Sequence, residues 1–263
     1  MNRREFVITS ASACFAAASA GLARAAAPPH YRCGTAPSTP SEDIQAIRVI
    51  EALRAHGVSF RYQTVIPVRF HIIHDGARGY VSHRRLKAQM ALLNRLYAPA
   101  GIAFTIADAR LHENKAWFTH EPGSRAEIEM KTELGKDSAR TLNIYTAAPE
   151  TALSGFATVP WSLASAPERD GIVIHHESLP ERTGANGPSP FVPGMVAVHQ
   201  LGHWAGGLSH AIEDSCETQG ACMISFAPEQ YDRIRDLVGY YRFQLSPQAS
   251  RSALLAQIRK SIE

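Results

Sequence analysis

The chain has 263 residues, enough for one well-packed domain with extensions or for two small ones. Its 45% hydrophobic and 19% charged content is that of an ordinary globular protein. The formal charge of +3 is small and nowhere clustered, which excludes an electrostatic nucleic-acid face.

Residues 1–25 read as an export signal. Arg3-Arg4 precedes an apolar, Ala-rich run from Val7 to Leu22, and Ala23-Arg24-Ala25 supplies a small-x-small cleavage pattern. The Arg pair followed by Phe6 is similar to a bacterial twin-arginine signal; an ordinary secretory signal or a retained anchor are the alternatives. The run is too weakly hydrophobic for a permanent span, so no membrane association is expected once the signal is gone. The chain is therefore expected outside the cytoplasm, periplasmic or extracellular. An oxidising compartment favours a disulfide between Cys216 and Cys222, which flank a turn-forming run, and leaves Cys33 outside that bridge.

Residues 26–64 read as a leader region: an irregular Ala/Pro/Ser/Thr stretch, then a helix opened by Ser41-Glu42-Asp43 and stopped by Gly57. Its apolar face is expected to hold Ile44, Ile47, Ile50 and Leu53. Residues 65–263 read as the main domain. Val65–Ile73 is a dense β-branched strand in which Pro67 argues for a strand start or a sheet edge. Ser82 caps a helix with Leu86, Met90, Leu93 and Leu96 on one face, ended by Pro99 and Gly101. Strands are expected at Ile102–Ile106, Thr141–Tyr145, Ser154–Val159 and Gly171–His175, with a helix around Ala126–Leu134. Helices follow near Met195, at Pro228–Val238 and at Pro247–Ile262. Strands alternating with amphipathic helices predict an α/β layer on a mixed sheet.

The chemistry concentrates in Val196–Gly206. His199 and His203 are four apart, so a helix projects both imidazoles from one face, where they can share a zinc ion. Zinc peptidases place Glu directly after the first His; that carboxylate takes a proton from the attacking water and later returns it to the leaving amine. In metzincins the motif extends to H-E-x-x-H-x-x-G-x-x-H, the Gly turning the chain toward a third His.

Ala197–Trp204 resembles the active-site helix of the pappalysin-like (cytophagalysin) metzincins, with its H-E-x-G-H-W-x-G pattern. The resemblance runs upstream in order. Val65–His74 is similar to that family's I-P-V-x-F-H-x-I strand, and Leu92-Leu93-Asn94 with Ala100–Phe104 to its L-N…G-I-x-F segment. Leu142–Tyr145, Gly155–Pro160 and Asp170–Ile174 match later blocks. It implies an α/β (α+β) zincin fold: a mixed, mostly parallel twisted sheet, an active-site helix and a helical C-terminal part. It also implies one zinc ion, a peptide or protein substrate or ligand, and a strand at Gly155, Phe156 and Ala157 that pairs with extended substrate at the sheet edge. Arg32-Cys33-Gly34-Thr35 resembles the prosegment signature whose cysteine thiolate caps the zinc and keeps the zymogen latent; a bond from Cys33 to another chain is the alternative.

Three departures stand out. Gln200 occupies the general-base position, and a neutral amide can orient a water but cannot take its proton. The third family His would fall at Ser209, whereas His stands at 210; the Gly206-Gly207 pair can absorb the extra residue and deliver His210 as a ligand. The family's calcium-binding stretch and Met-turn are cut short, which makes calcium unexpected and Met223 a poor Met-turn residue. Peptide-bond hydrolysis is therefore expected to be lost or severely impaired. An active zinc endopeptidase with an atypical site and a metal-free binding or structural protein are the alternatives. Among the other histidines, His71 is expected to pack within its strand and His175-His176 to lie at the surface.

Overall fold

A computed structural model describes residues 31–60, 63–150, 152–181, 191–208 and 226–242, with positions 256 and 260. Among these residues six strands form one sheet: β1 (Arg32–Cys33), β2 (Thr64–His74), β3 (Ile102–Glu113), β4 (Leu142–Ala147), β5 (Leu153–Ala157) and β6 (Ile172–His175), in the order β1-β5-β6-β4-β2-β3. Only the β5–β6 pair is antiparallel. The helices are α1 (Pro40–Ala55), α2 (His83–Tyr97), α3 (Lys115–Phe118), α4 (Arg125–Leu134), α5 (Met195–Gly206) and α6 (Pro228–Tyr241). No described helix is long and apolar enough to cross a membrane.

Local chemistry sets the element ends. Thr39 caps α1 in a reciprocal box, its hydroxyl taking the Glu42 N–H while the Glu42 carboxylate takes the Thr39 N–H at 2.7 Å, and Pro40 fits the first helical position. The helix thus starts just before the predicted Ser41. Its buried stripe is Ala46, Val49, Ile50 and Leu53, while Ile44 and Ile47 are about half exposed. Successive steps of three fall 60° short of a full turn, so a face extrapolated from Ile50 and Leu53 back to Ile44 rotates away from the core. Ser82 caps α2 as expected, and Gly101 leaves the following 3₁₀ turn with φ of 72°, in the left-handed region that glycine adopts without penalty.

Two strand expectations change. Pro67 lies in a strand flanked on both sides, because β4 pairs with β2 only from Val68 onward and the proline sits before that ladder. β3 continues seven residues past the predicted Ile106, through polar residues such as Asp108 and Arg110, because pairing with β2 holds an edge whose other side faces water. The expected helix at Pro247–Ile262 lies largely outside the described residues.

One face of the sheet carries Ile66, Val68, Phe70 and Ile72 of β2 into a core shared with α2 and α5. The opposite face carries Ile73, Tyr145, Phe156 and Val173 against α3 and α4. A third cluster joins Ala46, Val49, Ile50 and Leu53 of α1 to Phe60 and to Leu237 and Tyr240 of α6. Gly239 makes this contact possible, since a Cβ there would stand 2.3 Å from the Phe60 ring.

A buried charge pair joins the layers. Asp170, just before β6, receives both terminal nitrogens of Arg242 at 2.9 Å, the Trp204 indole N–H at 3.0 Å and the Thr158 hydroxyl at 3.0 Å. The Arg242 guanidinium lies 3.5 Å from the centroid of the Trp204 ring. Both charged side chains are 1% exposed. Arg242→Leu should strand the Asp170 carboxylate and cost about 3–5 kcal/mol, read as a shift in the chemical-denaturation midpoint. The double variant Arg242→Leu/Asp170→Leu should lose less than the two single losses combined, because neither charge is then left alone.

Candidate metal centre

α5 enters from Gly194, whose backbone is left-handed and has no room for a side chain: a Cβ would sit 2.5 Å from Leu92. Along the helix, Val196, Ala197, Leu201, Trp204 and Ala205 are buried in the main core. His199 and His203 therefore share the face turned away from that core. Gly207 ends the helix in the left-handed region; its N–H returns to the His203 carbonyl and the Leu208 N–H to the Gly202 carbonyl. Trp161 covers Gly207 so closely that a Cβ would lie 2.3 Å from its ring. Of the glycine pair, Gly206 is still helical and admits Ile234 of α6, so Gly207 alone makes the turn.

The two imidazoles converge, with His199 Nε2 2.9 Å from His203 Nε2. The Cys33 sulfur lies 3.5 Å from His203 Nε2. Among the described residues, Cys33, His199 and His203 bring their ligand atoms within 4.8 Å of one another. Tetrahedral zinc with Zn–N near 2.05 Å and Zn–S near 2.3 Å implies N···N of about 3.3 Å and N···S of about 3.6 Å. The Cys–His spacing matches, the His–His spacing needs a few tenths of an ångström, and two imidazoles with a thiolate are a zinc donor set. The residues fit the ion.

Gln200 is fully buried beside this cluster. Its carbonyl accepts the Thr35 hydroxyl at 2.7 Å, and its amide nitrogen donates to the Cys33 sulfur at 3.3 Å. The strand holding Gly155, Phe156 and Ala157 is β5, and it is not the sheet edge. β1 covers it in parallel, with Cys33 opposite Gly155, so the leader supplies the edge that was expected of β5. Phe156 points into the opposite core, and Gly155 lies under Gln200, where a Cβ would be 3.3 Å from Gln200 Cγ. His210, Ser209, Cys216, Cys222 and Met223 lie outside the described residues.

The chain matches no protein-family model. It does match curated proteins. Extracellular metalloprotease 1 of Coccidioides posadasii is 30% identical over 220 residues, 80% of this chain and 76% of that protein. The chain belongs to the pappalysin-like metzincin metalloproteases. An extracellular metalloprotease of Colletotrichum graminicola is 34% identical over 209 residues, 75% of this chain and 69% of that one. Among solved structures, a Glu-to-Ala mutant of promirolysin from Tannerella forsythia superposes with a TM-score of 0.58 at 18% identity, covering 87% of this chain and 98% of that one. Mirolysin with a bound compound gives 0.52 at 19% identity, covering 77% and 99%. These two likenesses establish a shared metzincin fold.

Among the described residues, no other histidine of this metzincin joins the cluster. His175, expected at the surface, is 7% exposed, with its ring 5.3 Å from Tyr31 and 5.0 Å from Phe191. The aromatic cover comes from segments distant in sequence, so the strand alone carried no sign of it. His71 is buried, stacked on Tyr145 at 4.7 Å, and donates from Nε2 to Asn143 Oδ1 at 3.0 Å. Burial lowers its pKa from 6.5 to about 4, partly opposed by the Asn143 hydrogen bond. The unfolded chain thus takes up a proton near pH 6.5 that the folded chain refuses until about pH 4. His71 stabilises the fold above pH 6.5, and this contribution of about 3 kcal/mol is lost as pH falls to 4. Melting temperatures recorded from pH 7 to 4 should show a shallower acid limb for His71→Gln than for wild type.

Proposed function

We propose that this chain is an exported, leader-capped member of the metzincin metalloproteases whose capacity for peptide hydrolysis is lost or severely reduced. The observation that carries this reading is Gln200, fully buried directly after His199, with both ends of its amide engaged by Thr35 and Cys33. On this reading residues 1–25 direct export, residues 26–64 form the leader and residues 65–263 the peptidase-like domain. The relatives' description as extracellular metalloproteases agrees with export, either to the periplasm or beyond.

His199 and His203 would hold one zinc ion, with His210 as a further ligand and Cys33 as the cap. When bound, zinc supplies a Lewis acid between the two imidazoles. Cys33 occupies the approach to that position, and the leader strand occupies the backbone edge of β5 that an extended peptide would use. Gln200 offers one acceptor and one donor group and no basic oxygen, so it can orient a polar ligand but cannot relay a proton. With the leader displaced, the cleft would still bind an extended peptide along β5. Family membership favours a second reading, an active endopeptidase with an atypical base.

Two measurements test the proposal. Elemental analysis of purified protein after dialysis should find about one zinc per chain. His203→Ala should lose most of it, and a metal-free wild type would remove the zinc assignment. In a Cys33→Ser background, Gln200→Glu should raise hydrolysis of an unstructured protein substrate by about 10²–10⁴-fold over Gln200. Turnover by wild type at rates of about 1 per second or more would instead establish the active reading.

A further inference from the structure

The leader segment is built into the domain at more points than a removable cap requires. Arg32 N–H donates to Ala152 O at 3.0 Å, Gly34 N–H to Gly155 O at 2.8 Å, and the Ser154 hydroxyl to Arg32 O at 2.9 Å. Downstream, α1 shares its buried stripe with α6, and Glu42 accepts the Trp161 indole N–H at 2.8 Å. Between these anchors lies Thr35, which is 6% exposed. Its hydroxyl oxygen takes the Ala157 N–H at 2.9 Å, and its proton goes to Gln200 Oε1 at 2.7 Å.

That hydroxyl fixes the orientation of the Gln200 amide. The Ala157 N–H can only donate, so Thr35 receives it and gives its own proton to the glutamine carbonyl. The amide nitrogen is then left facing Cys33, to which it donates at 3.3 Å, alongside the Thr35 backbone N–H at 3.4 Å. Gly155 leaves open the path that the Gln200 side chain follows, because a Cβ there would come within 2.5 Å of Val173 O and 3.3 Å of Gln200 Cγ. A glutamate of the same shape could still accept the Thr35 proton. Its second oxygen would then face the sulfur with no hydrogen to offer, as a buried charge without a counter-ion.

We propose that Gln200 is a positioning residue that locks the leader strand onto the His199–His203 pair, its amide donating to Cys33 while its carbonyl holds Thr35. The residue that removes proton transfer at this position also makes the leader a resident part of the domain. This deepens the leader-capped reading of the site but does not depend on the metal, because the clamp consists of hydrogen bonds within the chain.

The test is the rate at which iodoacetamide alkylates Cys33, followed by peptide-resolved mass spectrometry on the full chain, both zinc-loaded and stripped with EDTA. Wild type is compared with Gln200→Glu and Thr35→Val, and melting temperatures are recorded in parallel. In stripped protein, wild-type Cys33 should remain protected, and each substitution should speed labelling by about tenfold or more, well below the melting temperature of each variant. Equal labelling of wild type and variants in stripped protein overturns the lock. So does a wild type whose protection vanishes on EDTA treatment alone, an outcome that leaves the zinc assignment standing. Protection that depends on Gln200 and Thr35 in a wild type without zinc supports the lock and removes the metal instead. If Gln200→Glu does not fold, Gln200→Met decides in its place, since it keeps the length of the side chain and removes both of its hydrogen bonds while the Thr35–Ala157 contact remains.

Discussion

The geometry of the site depends on one buried carboxylate. Asp170 stands where β6 begins and gathers an arginine from the end of α6, an indole from α5 and a hydroxyl from the end of β5. A carboxylate has about four lone-pair directions, and here four donors fill them. Burying two opposite charges gains little net energy, but it penalises every arrangement that separates them. α5 is therefore held in one rotation relative to the sheet, with Trp204 turned toward the core and the two histidines on the other face.

From that fixed helix the rest of the cleft follows by spacing. A turn of helix places His199 and His203 together, and Gln200, which follows His199, is fully buried over Gly155 of β5. Gly155 brings the backbone of β5 up beneath it, and the leader reaches the same point from the other side through Thr35. Three chain segments thus meet at one amide group. Each supplies a donor or an acceptor that the others lack, which is why so small a cluster can exclude water without leaving its own polar atoms unmatched.

Much of this arrangement could be read from the sequence, and the exceptions share a cause. The His199/His203 spacing, the Ser82 cap and the Gly101 stop are local signals, and each appears in the structure where the sequence puts it. The family resemblance added the order of the strands' sequence blocks, which periodicity alone does not supply. What escaped was decided by contacts across the chain. Nothing around Arg32-Cys33 marks a strand, since only β5 makes it one. The polar half of β3 reads as loop because its pairing is with β2 and not with its own pattern. His175 lies under aromatic rings contributed by Tyr31 and Phe191. Asp170 was visible as part of a sequence block, but its counter-ion lies 72 positions away.

The two borders of the sheet are protected by different means. On the β3 side, Asp108 lies between Arg69 of β2 and Arg110, and charged side chains at a sheet border disfavour the docking of a further strand. On the opposite side β5 carries no charge: Leu153, Ser154, Gly155 and Phe156 are all buried, and β1, with Arg32 exposed at the border, shields their backbone. Removal of that short strand would leave the backbone ladder of β5 open along a row of buried side chains, the kind of edge on which a second strand adds.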